Sequence, residues 1–215
     1  MEKTLKAVIF DLDGVICFTD KYHYLAWKQL ADRLGIYFDE VINNRLRGVS
    51  RMASLEIILE RYEGEPLSVE KKEELAEYKN DLYRELLNTM KPSDCSKEVR
   101  RTLHELRNRG YLLAIGSSSK NTPLILERLG LSGFFDAVSD GNNITHSKPD
   151  PEVFVKAAEM LGSPASECLV VEDAEAGIRA GNGGGMKTAA IGDAVNCHLA
   201  DYEMEHFSDL LKICE

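Results

Sequence analysis

The fold of this chain is decided by one segment near its start, Lys6-Ala-Val-Ile-Phe-Asp-Leu-Asp-Gly-Val-Ile16. Its apolar part, Ala7–Phe10, is typical of a strand buried on both faces of a parallel sheet. Asp11 and Asp13 follow the strand, and Gly14 permits a tight turn directly after them. Carboxylates at the end of a first strand lie where α/β folds bind ligands, and their mutual repulsion favours a bound cation or a raised pKa. Taken alone, the pair is explained equally well as a charged exit from the strand.

Length and charge limit the classes of protein to consider. The chain has 215 residues, enough for one domain with a sizeable insertion. Its formal net charge of −10 argues against a nucleic-acid partner and against an anionic membrane surface. A phosphate-bearing ligand would therefore need lysine and arginine residues placed close to it.

The cysteine pattern and the N-terminal sequence indicate in which cellular compartment the protein is expected. The five cysteines contain no C-x-x-C pair, so the sequence indicates neither a zinc site nor a disulfide framework. We expect free thiols in a reducing cytoplasm. Because the sequence has neither a signal-peptide pattern nor an apolar run that approaches a membrane span, we expect a soluble cytoplasmic protein.

Residues 16–90 have helical periodicity and no strand pattern. We expect helices over residues 20–34, 38–46, 51–62 and 70–89. A βαβ fold does not normally hold four consecutive helices between its first two strands. The economical interpretation is a helical cap domain, residues 16–90, inserted into an α/β core domain of residues 1–15 and 91–215.

Strands and helices alternate from residue 92 onward, which predicts a doubly wound parallel sheet of the Rossmann-like kind. The further strands are expected at residues 111–115, 134–138, 168–171 and 187–191. Residues 181–185 are expected to form a glycine-rich break after a helix. Since all carboxyl ends of such strands point to one edge, polar groups that follow them should meet there.

Four polar groups occupy such positions: Asp11 with Asp13, Ser117 and its neighbours, Lys148, and Glu172 with Asp173. The carboxylates can share Mg²⁺. The serine hydroxyl, the amides of residues 116–119 and the lysine can hold a phosphate. Together they predict phosphoryl transfer through an aspartyl-phosphate. Each group alone has an ordinary explanation as a turn serine, a solvated helix start or an acidic loop. A nucleotide-binding unit is excluded because neither glycine-rich phosphate motif is present.

These motifs resemble, in order, the four motifs of the haloacid dehalogenase superfamily, and Asp13 matches its phosphotransferases rather than its dehalogenases. The cap is similar to that of the β-phosphoglucomutase group. The matching stretches are Thr19, Tyr22-His23, Ala26-Trp27, Gly48-Val49-Ser50-Arg51 and Lys79-Asn80, with Ser119-Lys120-Asn121 in the core. The resemblance implies Mg²⁺-dependent interconversion of β-glucose 1-phosphate and glucose 6-phosphate through β-glucose 1,6-bisphosphate.

The resemblance also implies a role for each residue. Asp11 would be the nucleophile and a Mg²⁺ ligand, and Asp13 the general acid/base that also binds the metal through its carbonyl oxygen. Glu172 and Asp173 would complete the metal site. Arg51 would hold the phosphate that does not react, since its planar fork suits two oxygens. The remaining binding residues would be Thr19, His23, Trp27, Arg47, Gly48, Val49, Ser50, Ser54, Lys79, Ser117, Ser118, Ser119, Lys120, Asn121 and Lys148.

Three departures from the group put the sugar in doubt: Arg47 in place of lysine, Cys17-Phe18 in place of Thr-Asp, and Ser118 in place of alanine. Two other functions stay open, a sugar-phosphate phosphatase with the same core and a silent relative that only binds phosphate. The intact catalytic groups argue against the silent relative. We expect a monomer that acts on a small sugar phosphate, with no nucleic-acid or membrane partner.

Overall fold

The computed structural model describes residues 5–46 and 50–215. A six-stranded parallel sheet has the order β3-β2-β1-β4-β5-β6. Its strands are β1 (Ala7–Phe10), β2 (Leu112–Gly116), β3 (Ala137–Ser139), β4 (Cys168–Glu172), β5 (Lys187–Ala190) and β6 (Tyr202–Glu203). Strand order reverses at β1, which pairs with β2 on one side and with β4 on the other. The predicted doubly wound α/β fold is confirmed.

Strand β1 is completely buried, because both faces of the sheet are covered. Ile9 belongs to a core cluster with Phe154 and Ala157 on one face. The next residue, Phe10, points to the other face, where its ring stacks on Phe207 with centroids 5.7 Å apart. An apolar residue is therefore needed at every position of this strand.

The helices of the sheet-containing unit lie between and after the strands. They are α5 (Lys97–Asn108), α6 (Thr122–Arg128), α7 (Glu152–Leu161), α8 (Glu175–Gly183) and α9 (Leu210–Ile213). Helix α5 begins after Ser96, whose hydroxyl accepts the Val99 N–H at 3.1 Å as an N-cap. Helix α7 is fixed to the sheet by Val153, Phe154 and Ala157, which are fully buried.

Thr19–Met90 forms a separate compact unit of helices: α1 (Asp20–Arg33), α2 (Glu40–Asn44), α3 (Arg51–Leu59) and α4 (Val69–Leu87). The Ser50 and Ser68 hydroxyls accept the N–H groups of Ala53 and Lys71 as N-caps of α3 and α4. The unit has its own apolar core, which includes Leu30, Leu55 and Ile58. It therefore carries the packing that an independent inserted domain needs.

The other unit combines the described residues up to Phe18 with Lys91–Glu215. Residues 16–18 belong to it, although the sequence interpretation began the insertion at residue 16. The reason is a hydrogen-bonded turn after β1. The Gly14 N–H donates to the Cys17 carbonyl at 2.7 Å, and the Cys17 N–H donates to the Leu12 carbonyl at 3.1 Å.

Two local expectations were wrong, and one strand was missed. The third strand is Ala137–Ser139 rather than residues 134–138, because Phe134 still belongs to a turn in which its N–H donates to the Leu131 carbonyl at 3.1 Å. Helix α8 continues to Gly183, through part of the expected glycine break. The short edge strand β6 was not expected. Among the described residues, no helix is long and apolar enough to cross a membrane.

The glycines of α8 allow the helix to approach the sheet closely. A Cβ on Gly181 would lie 2.6 Å from Thr188 Cγ2 and 3.2 Å from Val170 Cβ. The Thr188 side chain is held by its hydrogen bond to Asn182 Oδ1 at 2.9 Å. A Cβ on Gly183 would have no neighbour closer than 4.0 Å. The absence of a side chain is therefore needed for close packing at Gly181 but not at Gly183.

We predict that Gly181→Ala lowers the free energy of unfolding by about 1–3 kcal/mol, because overpacking strains the contact between α8 and the sheet. The matched variant Gly183→Ala should leave stability unchanged or raise it by up to about 1 kcal/mol through helix propensity. Urea unfolding measures both changes. Equal stability of the two variants would contradict the close-packing explanation.

Candidate active site

The ends of β1 and β4 place two carboxylates side by side. Asp11 follows β1, and its N–H donates to the Val171 carbonyl at 2.9 Å, which extends the strand pairing by one step. Glu172 is the last residue of β4. Both residues are buried, with 8% and 1% of their surface exposed. Two buried carboxylates at neighbouring strand ends need positive charge close by.

Lys148 supplies that charge from the loop before α7. Its Nζ donates to Asp11 Oδ1 at 2.5 Å and to Glu172 Oε1 at 2.6 Å. It also lies 4.6 Å from the centre of the Phe154 ring. Burial alone would lower the pKa of Lys148, but the two carboxylates outweigh burial and raise the pKa above its ordinary value. Lys148 is therefore a permanent cation in the site.

The second oxygen of Glu172 binds the backbone at the start of α8. Oε2 accepts the N–H groups of Asp173 at 2.9 Å and Ala174 at 3.0 Å. Burial raises the pKa of Glu172, and the charge of Lys148 partly offsets this increase. Both oxygens are thus held in position, Oε1 by Lys148 and Oε2 by the two N–H groups, and a carboxylate oxygen that accepts one hydrogen bond keeps a second lone pair for a further partner.

Asp173 completes a crowded acidic group. One carboxylate oxygen from each of Asp11, Glu172 and Asp173 lies within 4.8 Å of the others. Burial, followed by the charges of Glu172, Asp11 and Asp13, raises the pKa of Asp173 to about 8. A bound cation would relieve this repulsion, and three carboxylate oxygens are the hard donors that Mg²⁺ prefers. These residues therefore fit a magnesium site.

Two glycines make room for the carboxylates. Gly14 has φ +90°, and a Cβ there would lie 2.0 Å from Asp173 Oδ2. A Cβ on Gly177 would lie 1.9 Å from Glu172 Oε1. Gly14 is therefore required for two reasons: its positive φ, and the space that the Asp173 carboxylate occupies next to it.

Ser117 begins a tightly hydrogen-bonded loop after β2. Its N–H donates to the Ser139 carbonyl at 3.0 Å, and its Oγ accepts the Ser119 N–H at 3.2 Å. The Ser119 Oγ in turn accepts the Asn121 N–H at 3.2 Å. The Asn142 side-chain amide also binds this loop, because its Nδ2 donates to the Lys120 carbonyl at 3.0 Å. These hydrogen bonds within the protein fix the conformation of the loop.

Ser118 and Cys17, two of the departures from the family pattern, have simple environments. The Ser118 Oγ is buried and has no hydrogen-bond partner among the described residues. Burial, followed by the charges of Asp13 and Asp11, raises the pKa of the Cys17 thiol above its ordinary value. Cys17 is therefore a protonated, unreactive thiol beside the acidic group.

In the helical unit, Lys79 lies in an aromatic environment. It is 3% exposed. Its Nζ is 2.9 Å from His23 Nδ1 and lies over the Trp27 and Tyr83 rings, 4.7 Å and 4.8 Å from their centres. Burial, and then the charge of Arg51, lower the pKa of Lys79 to about 7. Burial also lowers the pKa of His23 well below its usual range, so the imidazole is neutral.

Arg51 has polar partners on α4. Its Nη2 donates to Asn80 Oδ1 at 2.9 Å, and its Nη1 lies 3.2 Å from Glu77 Oε2. Close to α1, the Tyr83 hydroxyl donates to Thr19 Oγ1 at 3.0 Å. An anionic ligand at Arg51 would have to compete with the Glu77 carboxylate.

The structure brings the expected residues together in two groups, one in each unit. Asp11, Lys148, Glu172 and Asp173 form the first, and His23, Trp27 and Lys79 form the second. Ser54 is buried in α3, and Ser50 serves as its N-cap. Arg47, Gly48 and Val49 lie outside the described residues.

The sequence interpretation missed Tyr83 and Glu77. Tyr83 follows Lys79 by four residues, a spacing that places the two side chains together on a helix surface. That signal was available in the sequence. Nothing in the sequence indicated the pairing of Glu77 with Arg51, because the two residues lie on different helices.

Most of the chain is similar to one group of known proteins. Haloacid dehalogenase-like hydrolases match residues 5–185. The chain is 41% identical to the β-phosphoglucomutase of Bacillus subtilis (strain 168), over 96% of this chain and 92% of that protein. It is 31% identical to the fructose-1-phosphate phosphatase YqaB of Escherichia coli (strain K12), over 93% of this chain and 100% of that protein. The crystal structure of a β-phosphoglucomutase from Clostridium difficile matches with a TM-score of 0.85 at 35% identity, covering 96% of this chain and 93% of that chain.

We predict that Gly177→Ala displaces the Glu172 carboxylate and reduces activity at least tenfold, because its Cβ would overlap that carboxylate. Gly183→Ala, on the same helix, is the control and should keep wild-type activity. Steady-state rates of both variants, with circular dichroism to check folding, test the prediction. Unchanged activity of Gly177→Ala would show that the position of Glu172 is not critical.

Proposed function

This chain belongs to the haloacid dehalogenase-like hydrolase family, and from that premise we propose that it is a Mg²⁺-dependent phosphotransferase acting on sugar phosphates. The reaction that we assign is the interconversion of β-glucose 1-phosphate and glucose 6-phosphate through β-glucose 1,6-bisphosphate. The observation that carries the proposal is the ammonium group of Lys148 between the buried carboxylates of Asp11 and Glu172. Similarity to β-phosphoglucomutases supports the choice of substrate.

Asp11 is the proposed nucleophile. Its carboxylate oxygen forms a bond to phosphorus, while the bond between phosphorus and the sugar oxygen breaks. The cationic Lys148 reduces the repulsion between this carboxylate and the incoming phosphate. In the second half of the reaction, a hydroxyl of the sugar takes the phosphoryl group from Asp11, which regenerates the carboxylate.

Asp13 is the proposed general acid/base. It gives a proton to the sugar oxygen that leaves and removes one from the hydroxyl that attacks. The turn after β1 holds its backbone, since the residues on either side of Asp13 are hydrogen-bonded to Cys17: Gly14 donates to the Cys17 carbonyl, and the Leu12 carbonyl accepts the Cys17 N–H. Asp13 is therefore carried by a fixed segment beside the nucleophile.

The metal would be held by the carboxylates of Asp11, Glu172 and Asp173 and by the Asp13 carbonyl. When bound, Mg²⁺ neutralises negative charge on the carboxylates and on the phosphoryl group. Lys148 contributes positive charge from the protein itself. The fit rests on the acidic group described above.

Binding roles divide between the two units. Ser117 and Lys148 bind the phosphate that is transferred. Arg51 binds the phosphate that does not react, and Ser119, Lys120 and Asn121 of the loop after β2 are further substrate-binding residues. The proposed substrate-binding residues of the helical unit are Thr19, His23, Trp27, Ser54, Lys79 and residues 47–50, of which Trp27, Gly48, Ser54 and Lys79 would bind the sugar.

A sugar-phosphate phosphatase is the second candidate, and the similarity to a fructose-1-phosphate phosphatase favours it. The core chemistry would be the same up to the aspartyl-phosphate. Water instead of a sugar hydroxyl would then take the phosphoryl group from Asp11. Release of inorganic phosphate from β-glucose 1-phosphate, without glucose 6-phosphate, identifies this alternative.

We predict that Asp173→Asn weakens Mg²⁺ binding at least tenfold, because the site loses a charged ligand while its shape is kept. EDTA should abolish wild-type activity, and added Mg²⁺ should restore it. Calorimetric titration with Mg²⁺ and the dependence of activity on Mg²⁺ concentration measure both effects. Asp81→Asn, at an exposed position of α4, is the control. Full wild-type activity without a divalent cation would disprove the metal requirement.

We predict that Arg51→Ala reduces formation of glucose 6-phosphate from β-glucose 1-phosphate roughly 10- to 100-fold, the usual loss for a hydrogen-bonded charged group. Hydrolysis of acetyl phosphate, which has no second phosphate, should stay within about twofold of wild type. Both rates are measured at saturating Mg²⁺, with a trace of glucose 1,6-bisphosphate in the first assay.

Arg84→Ala, an exposed arginine of α4, is the matched control and should change neither rate. Equal losses in both assays for Arg51→Ala would assign Arg51 to the fold or to the core chemistry. Unchanged rates in both would remove the second phosphate site and with it the main argument for a mutase.

A further inference from the structure

The loop that carries Lys148 is bound to the first turn of α7 through Glu152. The Thr145 N–H donates to Glu152 Oε1 at 2.9 Å and to Oε2 at 3.0 Å. The His146 N–H donates to Glu152 Oε2 at 2.7 Å. Because Lys148 follows His146 by two residues, this carboxylate fixes the backbone immediately before the lysine.

The other side of the loop is fixed as well. The Glu152 N–H donates to Asp150 Oδ1 at 2.9 Å, and the Asp150 N–H donates to the Ser147 carbonyl at 3.1 Å. Lys156, one helical turn further along α7, lies 3.1 Å from Glu152 Oε1 and donates to the Asn143 carbonyl. Residues on both sides of Lys148 are therefore bonded to one helix.

Helix α7 is a rigid support for this loop. Val153 and Phe154, the residues directly after Glu152, are fully buried against the sheet. The Phe154 ring also contacts the Lys148 ammonium group. The sheet thus fixes α7, α7 fixes Glu152, and Glu152 fixes the backbone that carries the lysine.

Glu152 acts here as an anion. The N–H groups of His146 and Thr145 lower its pKa to about 2. His146, Asp150 and Glu152 also have possible metal-ligand atoms within 4.8 Å of one another. The oxygens of Glu152 already accept backbone N–H groups and contact Lys156, so these hydrogen bonds explain the cluster without a metal ion.

We propose that Glu152 is a positioning residue, which holds the loop so that the Lys148 ammonium group stays between Asp11 and Glu172. This inference rests on the role of Lys148 in the proposed function. The ammonium group meets two acceptors at 2.5 and 2.6 Å, and the side chains of Lys148 and Glu172 are 11% and 2% exposed. Displacement by even 1 Å can reduce catalysis by as much as about 100-fold.

Glu152→Gln is the test variant. The amide keeps the size of the side chain, but it removes the charge and replaces one of the two acceptor oxygens with an NH2 group, which would face the Thr145 N–H and Lys156 or the His146 N–H. We expect kcat/KM for acetyl phosphate hydrolysis to fall at least tenfold. Glu152→Asp keeps the anion at a favourable helix start and should recover part of the loss. Glu159→Gln makes the same chemical change at an exposed position of α7 and should be neutral.

A double-mutant cycle separates positioning from a general structural role. If Glu152 acts through Lys148, Glu152→Gln should cause no more than about a twofold further loss once Lys148→Ala is present. If Glu152 had a general structural role, the activity loss of the double variant would equal the product of the losses of Glu152→Gln and Lys148→Ala. Where turnover of the Lys148→Ala variant falls below detection, the dissociation constant of inorganic phosphate in the presence of Mg²⁺ completes the same cycle. Thermal unfolding shows that each variant is folded at the assay temperature.

The outcomes distinguish this inference from the proposed function. If Lys148→Ala keeps wild-type activity and phosphate affinity, the role of Lys148 is wrong and the positioning role is overturned with it. If Lys148→Ala is impaired while Glu152→Gln is not, the inference alone is overturned. Losses that multiply in the double variant overturn it too.

Discussion

The contact of Lys148 with Asp11 and Glu172 is the interaction on which the site depends. These three buried side chains come from a loop, from the end of β1 and from the end of β4. Removing one member of such a buried ion pair typically costs about 3–5 kcal/mol, because an uncompensated charge remains. Glu172 additionally binds the start of α8 through two backbone N–H groups. The lysine thus links the chemistry of the site to the packing of the sheet.

Charge balance explains why this site suits a divalent cation. The carboxylates of Asp11, Glu172 and Asp173 lie together, and Lys148 neutralises only part of their charge. The remaining repulsion is visible in Asp173, whose pKa is raised to about 8. The helical unit has the opposite character. There, Lys79 is surrounded by aromatic rings and a neutral imidazole, and its pKa is lowered to about 7.

Arg51 lies in an ion pair that a ligand could exchange. Its guanidinium already contacts Asn80 and Glu77, and the Glu77 side chain is 65% exposed. An exposed ion pair of this kind contributes little to stability and is easily exchanged. In the function that we propose, a phosphate group would replace Glu77 as the partner of Arg51.

The sequence by itself determined the buried first strand, the helical periodicity of the inserted unit and the positions of the two acidic motifs and Ser117 at strand ends. These features depend on neighbouring residues or on a short repeat, so the order of the side chains reveals them. Tertiary structure alone decided that Lys148 reaches both Asp11 and Glu172, since Lys148 and Asp11 are 137 residues apart in the chain. It also decided that Gly177 leaves space for a carboxylate, that Glu77 contacts Arg51 and that α8 continues to Gly183. Such contacts arise from packing between distant segments, and no local pattern encodes the distance between them.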